Sequence, residues 1–306
     1  MPRKIILAGA TGLIGKYLFH ELKSRGEGIT ILARNPVFAK RILPGAIEYI
    51  QFDLFKPKNW EYIINGKDIV INLSGATIGG RRWSKKNKKE IIESRIGTTK
   101  VLADAISKAD NKPQTFICAS AIGYYGTSET EVFTEESPPG NDFLAGICKQ
   151  WENESANVEN YGVRGVNVRT GVVLEKNEGA LAKMLLPYRF FVGGPLGTGK
   201  QWLSWIHIID LINIYLMCID DQRFCGAVNA TAPNPVKMKE FSRTLGKVLK
   251  RPAIFYVPEF VLKLIFGKSA ETVINGQKVL PEKILNASYN FKFPKIEEAL
   301  LNLLIK

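Results

Sequence analysis

The feature that most constrains this chain is its start. Lys4-Ile5-Ile6-Leu7-Ala8 is an apolar run without polar alternation, and it opens into Gly9-Ala10-Thr11-Gly12-Leu13-Ile14-Gly15 ahead of a helical pattern. This reads as a strand buried on both faces, a tight turn and a helix start. Gly9 gives the turn its backbone freedom, Gly12 leaves no side chain in the way of a pyrophosphate, and Gly15 lets the helix pack against the strand. The helix N-terminus favours an anion, so Gly9, Thr11, Gly12, Leu13, Ile14 and Gly15 form a candidate dinucleotide cradle. Three glycines alone could be an ordinary turn; a strand before them and a helix after them give the spacing its meaning.

The pattern repeats through the first half. Strands are expected at 4–8, 29–33, 47–52, 68–73, 115–120 and 165–168, with helices near 14–25, 87–109 and 142–161 between them. Continuous apolar strands separated by helices imply a Rossmann-type α/β fold, a doubly wound parallel sheet covered on both faces, with its ligand at the carboxyl ends of the strands. Past residue 170 the alternation fails. The turn-rich Gly193-Gly194-Pro195-Leu196-Gly197-Thr198-Gly199 and the prolines Pro252, Pro258, Pro281 and Pro294 mark a smaller, mixed C-terminal cap on the substrate side. The expected division is 1–170 for the dinucleotide-binding domain, to which later segments return, and 171–306 for the substrate-side region.

Totals narrow the class further. The 306 residues contain 45% hydrophobic and 23% charged side chains, which excludes wholesale disorder. No apolar stretch is long enough to cross a bilayer, and Met1-Pro2-Arg3-Lys4 leaves no room for a signal peptide, so a cytoplasmic protein without a membrane partner is expected. Cys118, Cys148, Cys218 and Cys225 form no Cys-x-x-Cys pair and there are two histidines, so neither zinc nor a disulfide framework is supported. The net charge of +13 is large, and its densest run is Arg81-Arg82-Trp83-Ser84-Lys85-Lys86-Asn87-Lys88-Lys89. That run is either a solvated helix start or a basic loop near anionic ligand groups. No nucleic-acid motif accompanies it, and no nucleic-acid partner is expected.

The second strand selects between nicotinamide cofactors. An acidic residue at its end would bond the adenosine ribose hydroxyls, whereas an arginine there holds a 2′-phosphate. The chain reads Leu32-Ala33-Arg34-Asn35-Pro36, with no carboxylate between Glu27 and Glu48. Arg34 therefore favours NADP(H) over NAD(H). Asp53 and Leu54 after the third strand are placed for the adenine, and Ser74, Gly75 and Ala76 after the fourth make a small-residue loop under the ribose and pyrophosphate.

The glycine triplet, Asp53, Cys118-Ala119-Ser120-Ala121-Ile122-Gly123-Tyr124-Tyr125-Gly126 and Trp205-Ile206-His207-Ile208-Ile209-Asp210 together resemble the extended, atypical short-chain dehydrogenases/reductases. More narrowly, the full length is similar to the epimerase-like family labelled sugar-nucleotide epimerase or cell-division-inhibitor-like. Longer strings carry that similarity: Gly193 through His207 and Gly276-Gln277-Lys278-Val279-Leu280-Pro281. The resemblance implies a serine that orients a carbonyl or hydroxyl, a tyrosine acid/base, and a lysine one helical turn later that lowers the tyrosine pKa. Ser120 matches the serine and Lys149 the lysine, but Ala145 stands four residues before Lys149. Tyr124 is the substitute proton donor expected, with Tyr125 beside it. His207 and Asp210 resemble the stretch that closes over substrate, or else they start a helix. Arg95 joins the cofactor set, and Arg81, Arg82, Arg95 and Arg169 could receive an anionic substrate. The resemblance implies an NADP(H)-dependent oxidoreductase or epimerase acting on a small substrate, nucleotide-linked or not, in a chain that could form an oligomer. The alternative is an NADP(H)-binding regulator without turnover.

Overall fold

The computed structural model describes residues 2–53, 60–79 and 82–305. Seven strands form one sheet, numbered here in chain order: β1 (Lys4–Ala8), β2 (Gly28–Ala33), β3 (Glu48–Gln51), β4 (Ile69–Asn72), β5 (Thr115–Ala121), β6 (Arg164–Thr170) and β7 (Gly226–Ala230). Their order is β7-β6-β5-β4-β1-β2-β3, and every pairing is parallel. The chain runs outward from β1 in one direction and then restarts beside it with β4. That reversal leaves a crevice at the carboxyl ends of β1 and β4.

The principal helices are α1 (Leu13–Ser24), α2 (Pro36–Ile42), α3 (Lys85–Ile92), α4 (Thr98–Lys108), α5 (Phe143–Ala156), α6 (Gly179–Arg189), α7 (Ile208–Asp220), α8 (Met238–Leu249) and α9 (Glu259–Phe266). Side chains of a strand alternate between faces, so the apolar run of β1 must be covered twice. Ile5 and Leu7 pack with Leu18, Phe19 and Leu22 of α1 and with the apolar stripe of α7. Ile6 and Ala8 pack with Leu102 and Ile106 of α4 and Trp151 of α5. A third core joins α6, α8 and the C-terminal helix Ile296–Ile305 around Trp205 and Phe241.

Two features were not legible as patterns. The expected helix over 87–109 is broken by a wider turn, Glu93–Gly97, between α3 and α4. The second is the edge strand β7; it and α7, both from beyond residue 170, complete the Rossmann half after the chain has begun the cap. Gly226-Ala227-Val228-Asn229-Ala230 has too little apolar bulk to announce a strand; Val228 and Ala230 are nonetheless buried in the same core as α7.

Candidate functional site

The glycine cradle lies at the crevice. Gly9 has φ +79°, and a Cβ there would lie 2.6 Å from the Leu73 backbone; a Cβ on Gly15 would meet the Gly9 carbonyl oxygen at 2.4 Å. Both glycines are required by the protein's own packing. Gly12 differs: its φ is −78°, it is exposed, and a Cβ would meet only the Gly9 oxygen, at 3.4 Å. The fold therefore has room for a side chain at the spot where a pyrophosphate would need none. Gly12 caps α1 without a side-chain hydrogen bond and no acidic residue stands in the first turn, which leaves the positive end of the helix facing the crevice. These residues fit a dinucleotide.

The neighbouring strand ends supply the rest. Arg34 is exposed just past β2, and Asn35 caps α2 by accepting from the Phe38 amide at 2.9 Å. After β4, the Ser74 amide is fixed by the Asn72 side chain at 3.1 Å and the Ala76 amide by Ser94 at 2.9 Å, which leaves Gly75 exposed. Beneath Gly75 lies Arg95, whose guanidinium a Cβ there would approach at 3.1 Å. The wide turn 93–97 carries Arg95 inward, where it is 9% exposed, stacks 5.3 Å over Trp151 and donates to the Ile91 carbonyl at 3.3 Å. Burial pulls its pKa down. Asp53 lies two residues past β3, whereas Leu54 and Arg81 lie outside the described residues.

A cavity of about 830 Å³ adjoins the cradle, with Leu13 shared between them, and its lining is predominantly apolar. Its wall on the sheet side is Ala121, Ile122 and Gly123, and α5 contributes Leu144 and Cys148. Asp142 accepts from the amides of Leu144 and Ala145, both at 2.9 Å, and so fixes which face of α5 turns inward. Cys148 is buried, and burial together with the Glu152 carboxylate pushes its thiol up to about 12, with Arg95 opposing. On the far side α6 adds Lys183 and Tyr188, but the Tyr188 hydroxyl already donates to the Ser242 carbonyl at 3.1 Å.

Behind this wall sits a buried ion pair. Arg169 on β6 grips Glu152 of α5 through two bonds, at 2.9 and 2.8 Å, while the Ser120 hydroxyl donates to the same carboxylate at 2.6 Å. Arg169 also donates to the Tyr125 hydroxyl at 2.9 Å, which in turn donates to Asn229 at 2.7 Å, and its guanidinium lies 3.5 Å over the Tyr124 ring. Burial raises Tyr125 to about 12, against Arg169. Strand β5 is thereby tied to β6, β7 and α5.

With that geometry in hand, sequence comparison decides the family. The profile described as the NAD dependent epimerase/dehydratase family matches residues 5–229, and a domain of unknown function, DUF1731, matches 257–303. The chain belongs to the NAD-dependent epimerase/dehydratase family. It is 41% identical over 298 residues to the chloroplastic epimerase family protein SDR39U1 homolog of Arabidopsis thaliana, covering 97% of this chain and 85% of that protein. It is 39% identical to epimerase family protein YfhF of Bacillus subtilis, covering 98% and 97%. The solved human epimerase family protein SDR39U1, isoform 2, with NADPH, superposes with a TM-score of 0.86 at 34% identity and 98% coverage of each chain.

For this epimerase/dehydratase family member the residues expected to carry chemistry need correcting. Lys149 is exposed and does not line the cavity; the inward pair one turn apart is Leu144 and Cys148. Successive helix residues are about 100° apart, so one step moves a side chain off the face. The signal was present in the sequence: Ala145, Cys148, Trp151 and Ser155 form a buried stripe at helical spacing that excludes Lys149. Strand alternation makes the same one-residue correction at β5, where Ala121 lines the cavity and Ser120 is spent on Glu152. Tyr124 stacks on Arg169 and is not a lining residue either. His207 and Asp210 start α7 instead of closing a site. His207 accepts the Ile209 amide at 3.1 Å, and Asp210 takes the Tyr289 hydroxyl at 2.8 Å and the amides of Lys292 and Phe293, anchoring the tail. Of the two tryptophans beside them, Trp202 lines the cavity and Trp205 is core. Among the described residues no cluster suited to a metal occurs.

Proposed function

We propose that the protein binds NADP(H) across the glycine cradle and exchanges hydride with an apolar small molecule held in the adjoining cavity. The carrying observation is the cavity itself: about 830 Å³ of largely apolar space that shares Leu13 with the cradle. That volume falls in the range that encloses a whole ligand. A protein that only sensed dinucleotide would need no such chamber. The 2′-phosphate preference rests on Arg34 and is supported by the NADPH in the human relative. A polar sugar nucleotide fits the lining less well, because each buried hydroxyl or phosphate oxygen would need a partner.

A bound nicotinamide supplies the hydride; the chain must supply the proton that a reduced carbonyl takes up. Cys148 is the proposed donor. Its thiol is kept protonated and lines the cavity, and Arg95 lies close enough to offset charge on the thiolate left behind. The test is NADPH oxidation by the purified protein across a panel of apolar aldehydes, ketones and enones, with sugar nucleotides alongside. Turnover of apolar members that Cys148→Ala reduces, at unchanged NADPH affinity, is expected. Turnover confined to sugar nucleotides overturns the substrate class. The second reading, a regulator whose NADP(H) occupancy a partner reads, is favoured by Leu144 standing where a phenol would serve. It gains if NADPH binds and nothing on the panel turns over.

A further inference from the structure

The exposed apolar side chains are not scattered. Among the described residues, half of the large hydrophobic side chains that stand in solvent fall within 186–192 and 254–265: Leu186, Phe190, Phe191 and Val192 in the first, Ile254, Phe255, Tyr256, Phe260, Leu264 and Ile265 in the second. Phe190, Ile254, Phe260 and Leu264 are each at least 70% exposed. The two stretches are one surface. The Phe255 amide donates to the Gly193 carbonyl at 3.2 Å, the Val257 amide to Pro195 at 3.1 Å, and the Arg251 guanidinium lies 4.2 Å over the Phe191 ring. A contiguous apolar surface of this kind marks an interaction site.

Charge decides what it meets. Arg189, Lys250, Arg251, Lys263 and Lys268 are exposed around the patch; the carboxylates nearest them in the chain are Glu259, which pairs with Lys263 at 3.3 Å, and Glu271, so cations remain in excess. Arg82 adds another cation, donating to the Leu264 and Ile265 carbonyls at the end of α9, and the lysines of α3 follow it in the chain. A second copy docking on this face would set these cations against their own images. Apolar and aromatic side chains rimmed by lysine and arginine suit an anionic bilayer, where the rings enter the acyl boundary and the cations stay with headgroup phosphates.

We propose that this face, built from α9 and the 186–192 and 254–256 segments, docks the protein on anionic membranes. Among the described residues no helix can span a bilayer, so the contact is peripheral. This departs from the expectation that the chain has no membrane partner. The inner side of the same segment, Val257 and Leu262, lines the cavity. The chamber thus lies directly behind the docking face, and its ligand is a lipophilic molecule drawn from the bilayer. That last step rests on the cavity being a substrate chamber; the docking does not.

The experiment is co-sedimentation of the full chain with vesicles of equimolar phosphatidylcholine and phosphatidylglycerol, and with phosphatidylcholine alone, while NADPH affinity is followed in vesicle-free buffer. Binding to the anionic vesicles that weakens with salt is expected. Lys263→Gln with Lys268→Gln should weaken it roughly thirtyfold, about fivefold for each cation. Phe260→Ser with Leu264→Ser should weaken it at least about tenfold. All four side chains are exposed, so melting temperature and NADPH affinity should stay at wild-type values. No sedimentation with anionic vesicles at intact NADPH affinity overturns docking and leaves the proposed cofactor chemistry standing. Undiminished binding by both variants places the contact on another face and overturns the assignment. A wild-type dimer that Phe260→Ser with Leu264→Ser dissociates, with no vesicle binding, assigns the patch to a second copy and overturns it equally.

Discussion

At the near side of the cleft Gly9, Gly12 and Gly15 hold the positions that a dinucleotide cradle requires, whereas at the far side Ala121, Leu144 and Cys148 occupy the positions that face the ligand space. The near side offers backbone amides and a helix dipole, which depend on geometry. The far side would depend on ionisable side chains, and at these three positions they reduce to a protonated thiol with a buried arginine nearby. Polar chemistry has not left the region; Ser120, Glu152, Tyr125 and Arg169 lie just behind the wall, bonded to one another. Cofactor binding and acid/base catalysis are thus separable within one fold, and the first can be retained while the second is rebuilt.

The hardest way to break this contrast is to remove Glu152. If the network behind the wall is scaffold, Glu152→Ala should destabilise the protein by about 3–5 kcal/mol, because Arg169 is left buried without its counter-charge. Chemical denaturation measures it. A stable variant with lost turnover would instead make Glu152 part of the chemistry.

A second break works through pH. Burial lowers His207 to about 4, below its unfolded value near 6.5, so the native state holds the neutral ring. Its contribution is fully present above about pH 6.5 and is lost as the pH falls towards 4, at most about 1.4 kcal/mol per unit and about 3 kcal/mol in all. The wild-type stability curve should fall more steeply over that window than that of His207→Asn, whose amide can keep the cap on α7. Parallel curves would show that His207 takes up a proton as readily folded as unfolded.

The glycine turn was legible in the sequence and the wall of the cavity was not, for a physical reason. A cradle is local: strand, glycines and helix are consecutive, and the spacing alone nearly determines the geometry. The cavity wall is assembled from β5, α5, α6 and the C-terminal region, and membership depends on which way a side chain points. One residue of phase on a helix or strand separates Cys148 from Lys149 and Ala121 from Ser120, and motif matching is blind to it. The turn that buries Arg95 and the strand β7 were hidden likewise, the first by a single extra residue, the second by glycine and alanine.

Arg34 sharpens the contrast on the near side. Removing it should cost NADPH about 1.5–3 kcal/mol, the worth of a charge-assisted bond, and leave NADH nearly unchanged. Titration of Arg34→Ala with both cofactors reads this directly. Equal losses would mean that the guanidinium does not meet the 2′-phosphate.

The smallest effects come from the glycines, and they separate folding from binding within seven residues. A methyl group on Gly15 would lie 2.4 Å from the Gly9 oxygen and 2.6 Å from the Ala10 Cα, contacts that only movement of α1 could relieve. Gly15→Ala should therefore lose about 1–3 kcal/mol of stability, the range for an overpacked site. At Gly12 the backbone is extended, with φ −78°, and the nearest atom to an added Cβ is 3.4 Å away. Gly12→Ala should leave stability within about 0.5 kcal/mol of wild type, as surface substitutions do. Its methyl group would nevertheless stand where the pyrophosphate approaches the helix N-terminus, and NADPH affinity should drop at least tenfold, about 1.4 kcal/mol. Melting curves and NADPH titrations on the same two variants decide the matter. If Gly12→Ala binds NADPH as wild type does, the dinucleotide does not cross the first turn of α1, and the cradle is a packing device alone.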